Sequence, residues 1–228
     1  MLGVILKKQK TMRTILLTAI FLIVTICIFA TGQISDKIIY KGQEYSLNTN
    51  PLESFFKKNP DLKPKPDIIS TALWRGYIAT FEIQNDQLFV KDIIIEVDDS
   101  INGRDKTKWI SVLNQVFPEK KLTKVDWLTG LLVIPNGKLV NYVHMGYAST
   151  YENYILLEID KGNLVQEQSM NSKEYERFKD KQFKAFQKTD EYKKLKEDLK
   201  KNGGGTDEFL DSFLRIYVTD YSTKILTN

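Results

Sequence analysis

The sequence predicts an α+β fold: an antiparallel meander sheet of about three hairpins, with helices mostly C-terminal. Two observations lead there. Between residues 77 and 168, runs rich in β-branched and aromatic residues alternate with turn residues, as successive hairpins require. From Asn171 onward, apolar residues fall at irregular helical spacing among dense Lys, Glu and Asp, as in solvent-facing amphipathic helices. No internal repeat of solenoid length is present.

The elements follow in chain order. Lys37 to Leu47 reads as a small hairpin turning at Lys41-Gly42. Asn50-Pro51-Leu52-Glu53 is a helix start, with Asn50 as cap, Pro51 at the first helical position and Glu53 three after the cap. Asn59-Pro60 ends that helix, and Pro60, Pro64 and Pro66 favour an extended connector. Tyr77, Ala79, Phe81 and Ile83 alternate with Ile78, Thr80 and Glu82, so one face of this strand is buried. It turns at Asn85-Asp86 into Leu88 to Val97. Trp109, Ile110, Leu113, Val116 and Phe117 recur at helical spacing, and Pro118 stops that helix. A second hairpin is expected from Val125–Ile134 and Lys138–Val143 around Pro135-Asn136-Gly137. A third is expected from Tyr151–Ile159 and Leu164–Gln168 around Asp160 to Asn163.

The helical part is expected over 171–222. Asn171 with Glu174 makes a capping box, Thr189-Asp190 divides the following stretch into two helices, and Asn202 to Gly205 is a stop. Thr206 opens a last helix with Phe209, Leu210, Phe213, Leu214 and Tyr217 on one face. The Lys-rich stretch 173–201 carries many acids and reads as a solvated face.

Charge and hydropathy set the compartment. Lys7, Lys8, Lys10 and Arg13 account for the whole net charge of +4, so residues 33–228 carry 29 basic and 29 acidic side chains. A basic footprint for nucleic acid is missing. Ile15 to Ala30 is an uncharged apolar run of 16 residues, followed by Thr31-Gly32. This is the pattern of a signal peptide over 1–32, with Met1 or Met12 as the start and Gln33 as the new N-terminus. The competing reading is an uncleaved membrane anchor, for which the run is short against the roughly 20 residues that span a bilayer. Val24-Thr25-Ile26 before Cys27 argues against lipidation. Residues 33–228 are read as a single globular α+β domain, periplasmic or extracellular, which without cysteine holds together by its core alone. It meets a membrane only through residues 15–30, if they are uncleaved.

Candidate chemistry is sparse. The only histidine, His144, lies in Tyr142-Val143-His144-Met145-Gly146-Tyr147. Histidine is the usual general acid–base near neutral pH. Glu152 or Asp126 is available to orient it, and Ser149 or Thr150 to act as nucleophile. A triad is defined by geometry rather than spacing. The plainer reading is that one ring nitrogen bonds a backbone or tyrosine partner and fixes the turn at Gly146. One histidine and one cysteine in the leader leave no multi-histidine or thiolate metal site, so neither a metal nor a cofactor is expected. Trp74-Arg75-Gly76-Tyr77 is the second candidate: an arginine among aromatics suits a carboxylate or phosphate, or an internal pair with Glu82, Asp92 or Glu96. Trp74, Arg75, Tyr77, Tyr142 and Tyr147 are the candidate ligand-binding residues. Asp98 to Gly103 begins like a calcium loop, but Trp109 stands where the bidentate glutamate belongs. Gly203-Gly204-Gly205-Thr206 lacks the lysine of a nucleotide loop and is read as a linker with a helix cap.

Two segments together, Ser70-Thr71-Ala72-Leu73-Trp74-Arg75-Gly76-Tyr77 with its following hairpin and Ile134-Pro135-Asn136-Gly137 through Tyr147 to Glu152, resemble an uncharacterised bacterial family of small α+β proteins. The resemblance covers roughly residues 37–168 and implies no activity. The functional expectation is an exported, non-enzymatic binding or interaction domain at the bacterial cell envelope, of inhibitor or immunity type, with a protein partner. Hydrolysis by His144 and small-ligand binding in an aromatic pocket are the alternatives.

Overall fold

The computed structural model describes residues 32–100, 106–118 and 122–227; the apolar run 15–30 lies outside them. Among the described residues nine strands form one mixed sheet: β1 (Asp36–Tyr40), β2 (Gln43–Leu47), β3 (Ile78–Gln84), β4 (Gln87–Asp98), β5 (Thr107–Ser111), β6 (Thr123–Lys124), β7 (Gly130–Asn141), β8 (Thr150–Asp160) and β9 (Asn163–Asn171). The order is β2-β1-β3-β4-β9-β8-β7, with β5 and β6 also pairing on β4. The helices are α1 (Pro51–Lys58), α2 (Leu113–Val116), α3 (Ser172–Phe186), α4 (Asp190–Lys201), α5 (Asp207–Ile216) and α6 (Val218–Tyr221). The chain is therefore α+β with its helices mostly C-terminal.

The sheet rolls up until its two ends meet. The Asn48 N–H donates to the Val133 carbonyl at 2.9 Å, and the Val133 N–H donates to Thr49 Oγ1 at 3.2 Å. The roll encloses the main core, in which Ile38, Leu47, Phe81, Val90, Leu132, Ile134, Leu157 and Ile159 pack with Leu52 and Phe56 of α1. Its weakest seam is β4–β9, a single residue pair, Gln87 with Asn163. Two turns reinforce it: Leu88 N–H bonds Gly162 O and Leu164 N–H bonds Asp86 O.

β7 and β8 are apolar on both faces. Leu132, Ile134, Leu157 and Ile159 point into the roll, while Leu131, Val133, Tyr154 and Leu156 point outward against Tyr175 and Phe178 of α3. This accounts for the unbroken run Leu131-Leu132-Val133-Ile134: a strand covered on both sides shows no alternation. A third cluster, Phe183, Phe186, Tyr192, Leu214 and Val218, ties α3 to α4, α5 and α6. The caps of α3, α4 and α5 are as the sequence indicates. Asn171 and Glu174 form a reciprocal capping box, and Thr189 and Thr206 accept from Tyr192 and Phe209 N–H. Buried Gln182 bonds the Lys224 carbonyl and the Leu226 N–H, fastening the C-terminal tail to α3.

Three expectations are corrected. The sheet is mixed and not an antiparallel meander, because β1 and β3 pair in parallel, Lys37–Ile39 against Thr80–Glu82. The connection carrying α1 and the prolines is long enough to cross over and bring β3 back in the same direction. Pro135-Asn136-Gly137 is not a turn, since β7 runs through it with register shifts against β8. Past Val133, β7 is an edge strand that needs no N–H from Pro135, and Gly137 at φ +81° carries the bulge. Residues 107–111 are a strand on β4, which leaves one helical turn at Leu113–Val116 instead of a helix from Trp109. Its β-branched and aromatic residues pair with the far half of β4.

Leu156 is fully buried between the sheet and α3. Leu156→Ala should lower stability by about 2–5 kcal/mol through lost burial and the cavity left behind. Urea unfolding of the two proteins checks this.

Candidate functional site

The β7–β8 connection, Tyr142 to Ser149, is built onto a buried ion pair. Asp36 stands in register with Ile38 and Tyr40 on the inward face of β1. Arg75 reaches it from the turn before β3, and both side chains are fully buried. One guanidinium nitrogen, Nη2, donates to Asp36 Oδ1 at 3.1 Å and to the Ile34 carbonyl at 2.9 Å. Nη1 donates to the Tyr147 hydroxyl at 2.7 Å, and that hydroxyl donates to Asn50 Oδ1 at 2.8 Å. Asp36 Oδ1 also accepts from the Ala79 N–H. Asp36 Oδ2 and Arg75 Nε are buried with no hydrogen-bond partner among the described residues. Burial outweighs Arg75 and pushes the Asp36 carboxyl up to about 6, and burial raises the Tyr147 hydroxyl to about 12. Gly76, at φ +81° and with Pro66 so near that a Cβ would lie 2.8 Å from it, lets the chain turn Arg75 inward.

Tyr147 is a wall between two hollows, which also share Asn48 and Ser149. The first, about 130 Å³, lies between the sheet rim and the helices. Tyr154, Tyr175 and Tyr217 line it with Thr150, Glu176, Lys179, Ile216 and Asp220. Tyr154 and Tyr175 stack at 4.1 Å, and Lys179 pairs with Glu176 at 2.8 Å and lies over the Tyr175 ring. Asp220 opens to solvent at the mouth. The groups packed around it raise its carboxyl above the usual carboxylate range, against the pull of Lys179. The second hollow, about 140 Å³, is lined by Gly32, Gln33, Ser35, Tyr142 and Tyr151.

The candidate residues divide. Arg75 and Tyr77 are fully buried, with Arg75 5.7 Å from the Tyr77 ring centre and the Tyr77 hydroxyl donating to Glu53. Tyr147 joins them through Arg75, whereas Trp74 and Tyr142 lie exposed. The carboxylate on Arg75 is Asp36; Glu82 instead pairs with Lys91, Asp92 accepts from Ser111 and Glu96 accepts from Thr107. Asn50 makes no side-chain cap, because its amide oxygen is taken by Tyr147. His144 is exposed and meets the Tyr142 ring edge-on at 4.5 Å. Glu152 instead accepts from the Lys138 N–H. Ser149 bonds the Val143 backbone and, in place of the imidazole, closes the turn. Among the described residues no hydrogen bond links His144 to Glu152, Asp126, Ser149 or Thr150. Of the calcium-like segment, residues 101–105 lie outside the described residues; Asp98 accepts from the Ser100 N–H. Among the described residues, no three His, Cys, Asp or Glu are grouped to hold a metal.

Sequence reasoning missed Asp36 and the cleft residues Lys179, Tyr217 and Asp220. For Asp36 a signal exists: it falls on the same face as Ile38 and Tyr40, and a charge on the buried face of a strand implies a buried partner. The cleft residues lie among helical charges and carry no such mark.

Fold and site together define an α+β domain whose rolled mixed sheet presents a tyrosine-lined cleft against a helical layer. No family model, no curated protein and no solved structure matches the chain, so the resemblance noted above rests on its two segments alone.

Arg75→Ala leaves Asp36 buried without its partner and should cost about 3–5 kcal/mol, read as a lower urea midpoint. Asp36 also sets a pH dependence. Between its ordinary value of 3.8 and about 6, the folded protein holds a proton that the unfolded chain has released. That contribution is complete below 3.8 and is lost as the pH rises through 6, up to about 3 kcal/mol. Asp36→Asn abolishes the titration, so the stability of the wild type relative to this variant should fall between about pH 4 and pH 7. Unfolding curves at several pH values test this; a difference constant with pH would show that Asp36 stays ionised throughout.

Proposed function

We propose that this chain is a non-enzymatic binding domain, exported to the cell envelope, that takes a protein partner in the cleft between sheet rim and helices. The observation that carries the reading is the cleft's composition. Half-buried Tyr147 and Tyr217 offer amphipathic contact area at low entropic cost, as aromatic residues do at interfaces, and the buried stack of Tyr154 on Tyr175 backs them. Asp220 and the Lys179–Glu176 pair supply the polar groups that set orientation. Exposed Ile216 extends the apolar surface at the rim.

The hydrolytic alternative has less support. A general base must lie within hydrogen-bond reach of the proton it takes, and the contact of His144 is a tyrosine ring edge. The aromatic-pocket alternative loses Arg75 and Tyr77 to the core. Export is supported by the leader's basic and apolar segments. Among the described residues no helix is long and apolar enough to cross a membrane.

The test is capture of partners from envelope extracts by the full chain, compared with Asp220→Arg and Tyr217→Ala. Both cleft variants should lose the captured partner while remaining folded by circular dichroism, and His144→Gln should retain it. A partner held equally by all the variants would exclude the cleft. A hydrolytic activity of the parent that His144→Gln abolishes at unchanged stability would replace the binding reading.

A further inference from the structure

We propose that the end of the domain formed by Gly32–Ile34, the turn at Trp74 and the Tyr142–Gly146 loop rests on a lipid bilayer, with residues 15–30 retained as its tether. The inference rests on the envelope reading and is independent of the partner in the cleft.

Three features of this end converge. Gly32 bridges Gly146 in parallel fashion, the Gln33 N–H donates to the Gly146 carbonyl at 3.0 Å, and the Ile34 N–H donates to Ala72 O at 2.8 Å. The Gln33 side chain bonds the Thr71 carbonyl. The chain is thus part of the fold from Gly32 on, and only Thr31 separates it from the apolar run Ile15–Ala30. Two residues of chain span at most about 7 Å, so a retained tether leaves no linker and holds this end at the bilayer surface.

The surface at that point is of the type lipid interfaces select. Ile34, Trp74, Tyr142 and Met145 are 40%, 56%, 55% and 45% exposed. Tyrosine and tryptophan concentrate at the headgroup level, where one end of the ring is apolar and the other wet. An apolar run of 16 residues is short for a span, and a short apolar segment draws its flanking residues into the interface. The basic residues Lys7 to Arg13 precede the run, which places them on the cytoplasmic side and the domain on the opposite leaflet. Finally, the bond after Gly32 that a signal peptidase would cut is flanked by residues already engaged with Gly146.

The experiment uses the full chain with Cys27→Ser, reconstituted into vesicles of phosphatidylcholine and phosphatidylglycerol. An environment-sensitive fluorophore is attached at Met145→Cys, at Trp74→Cys, or at Lys201→Cys in the helical layer. The protein should float with the vesicles. Labels at 145 and 74 should be blue-shifted and lose most of their emission to lipids carrying a nitroxide near the headgroup, while the label at 201 stays open to aqueous iodide. Flotation with water-like emission at 145 and 74 would leave the tether standing and overturn the docking. Shielding from iodide without quenching by nitroxide lipid would mean that a second copy or another protein covers this face, and would also overturn it. Failure to float, with Gln33 at the N-terminus of protein recovered from an exporting host, would overturn the tether and with it the proposal.

Discussion

The structure depends on the burial of one charge pair. Taking Arg75 and Asp36 out of water is costly, and their attraction alone does not repay that cost. The protein offsets part of it with the Ile34 carbonyl, the Ala79 N–H and the Tyr147 hydroxyl. Counting the pair itself, these groups come from four separate stretches: residues 34–36 at the entry to β1, the turn into β3, β3 itself and the β7–β8 connection. Asn50, at the head of α1, adds a fifth by accepting from Tyr147. A pair that must be satisfied by so many groups specifies one arrangement of these segments, since any other leaves a charge unsolvated. Gly76 and Pro66 make the approach of Arg75 sterically possible.

From that centre the architecture grows outward in two layers. The β7–β8 hairpin carries apolar side chains on both faces, so it serves as the outer wall of the roll and as the floor for α3. The cleft opens at its rim, where Tyr154 and Tyr175 stack and α6 brings Thr219 and Asp220 alongside. Val218 of α6 packs with Phe183 and Phe186 of α3, which links α6 to α3 and holds that side of the cleft. Both walls are therefore anchored in packed cores, and a surface held this way binds without a large ordering cost.

The same pair fixes what the Tyr142–Ser149 loop presents. Tyr147 is drawn inward to Arg75, while Tyr142, His144 and Met145 on the same loop are left outside. The single histidine thus occupies the tip of a hairpin and not the base of a cleft. Catalytic and binding residues favour loops held by a rigid scaffold, and here the scaffolded side chains are tyrosines and a carboxylate.

Much of this was legible in the residues themselves. Local physics decided the α+β class, the strand pair of 78–98, the hairpin of 150–171 and the helix starts at Asn171, Thr189 and Thr206, because alternation and side-chain caps act over a few residues. The burial of a charged arginine beside Tyr77 was legible for the same reason. Tertiary structure decided the parallel placement of β1 against β3, the passage of β7 through Pro135-Asn136-Gly137 and the strand at 107–111. In each case a partner strand distant in sequence outweighed a local signal for a turn or helix. The choice of Asp36 as the partner of Arg75, 39 residues away, was likewise a matter of register across the sheet. So was the cleft, whose tyrosines and Asp220 acquire a common purpose only when α3 and α6 fold over the outer face of β7 and β8.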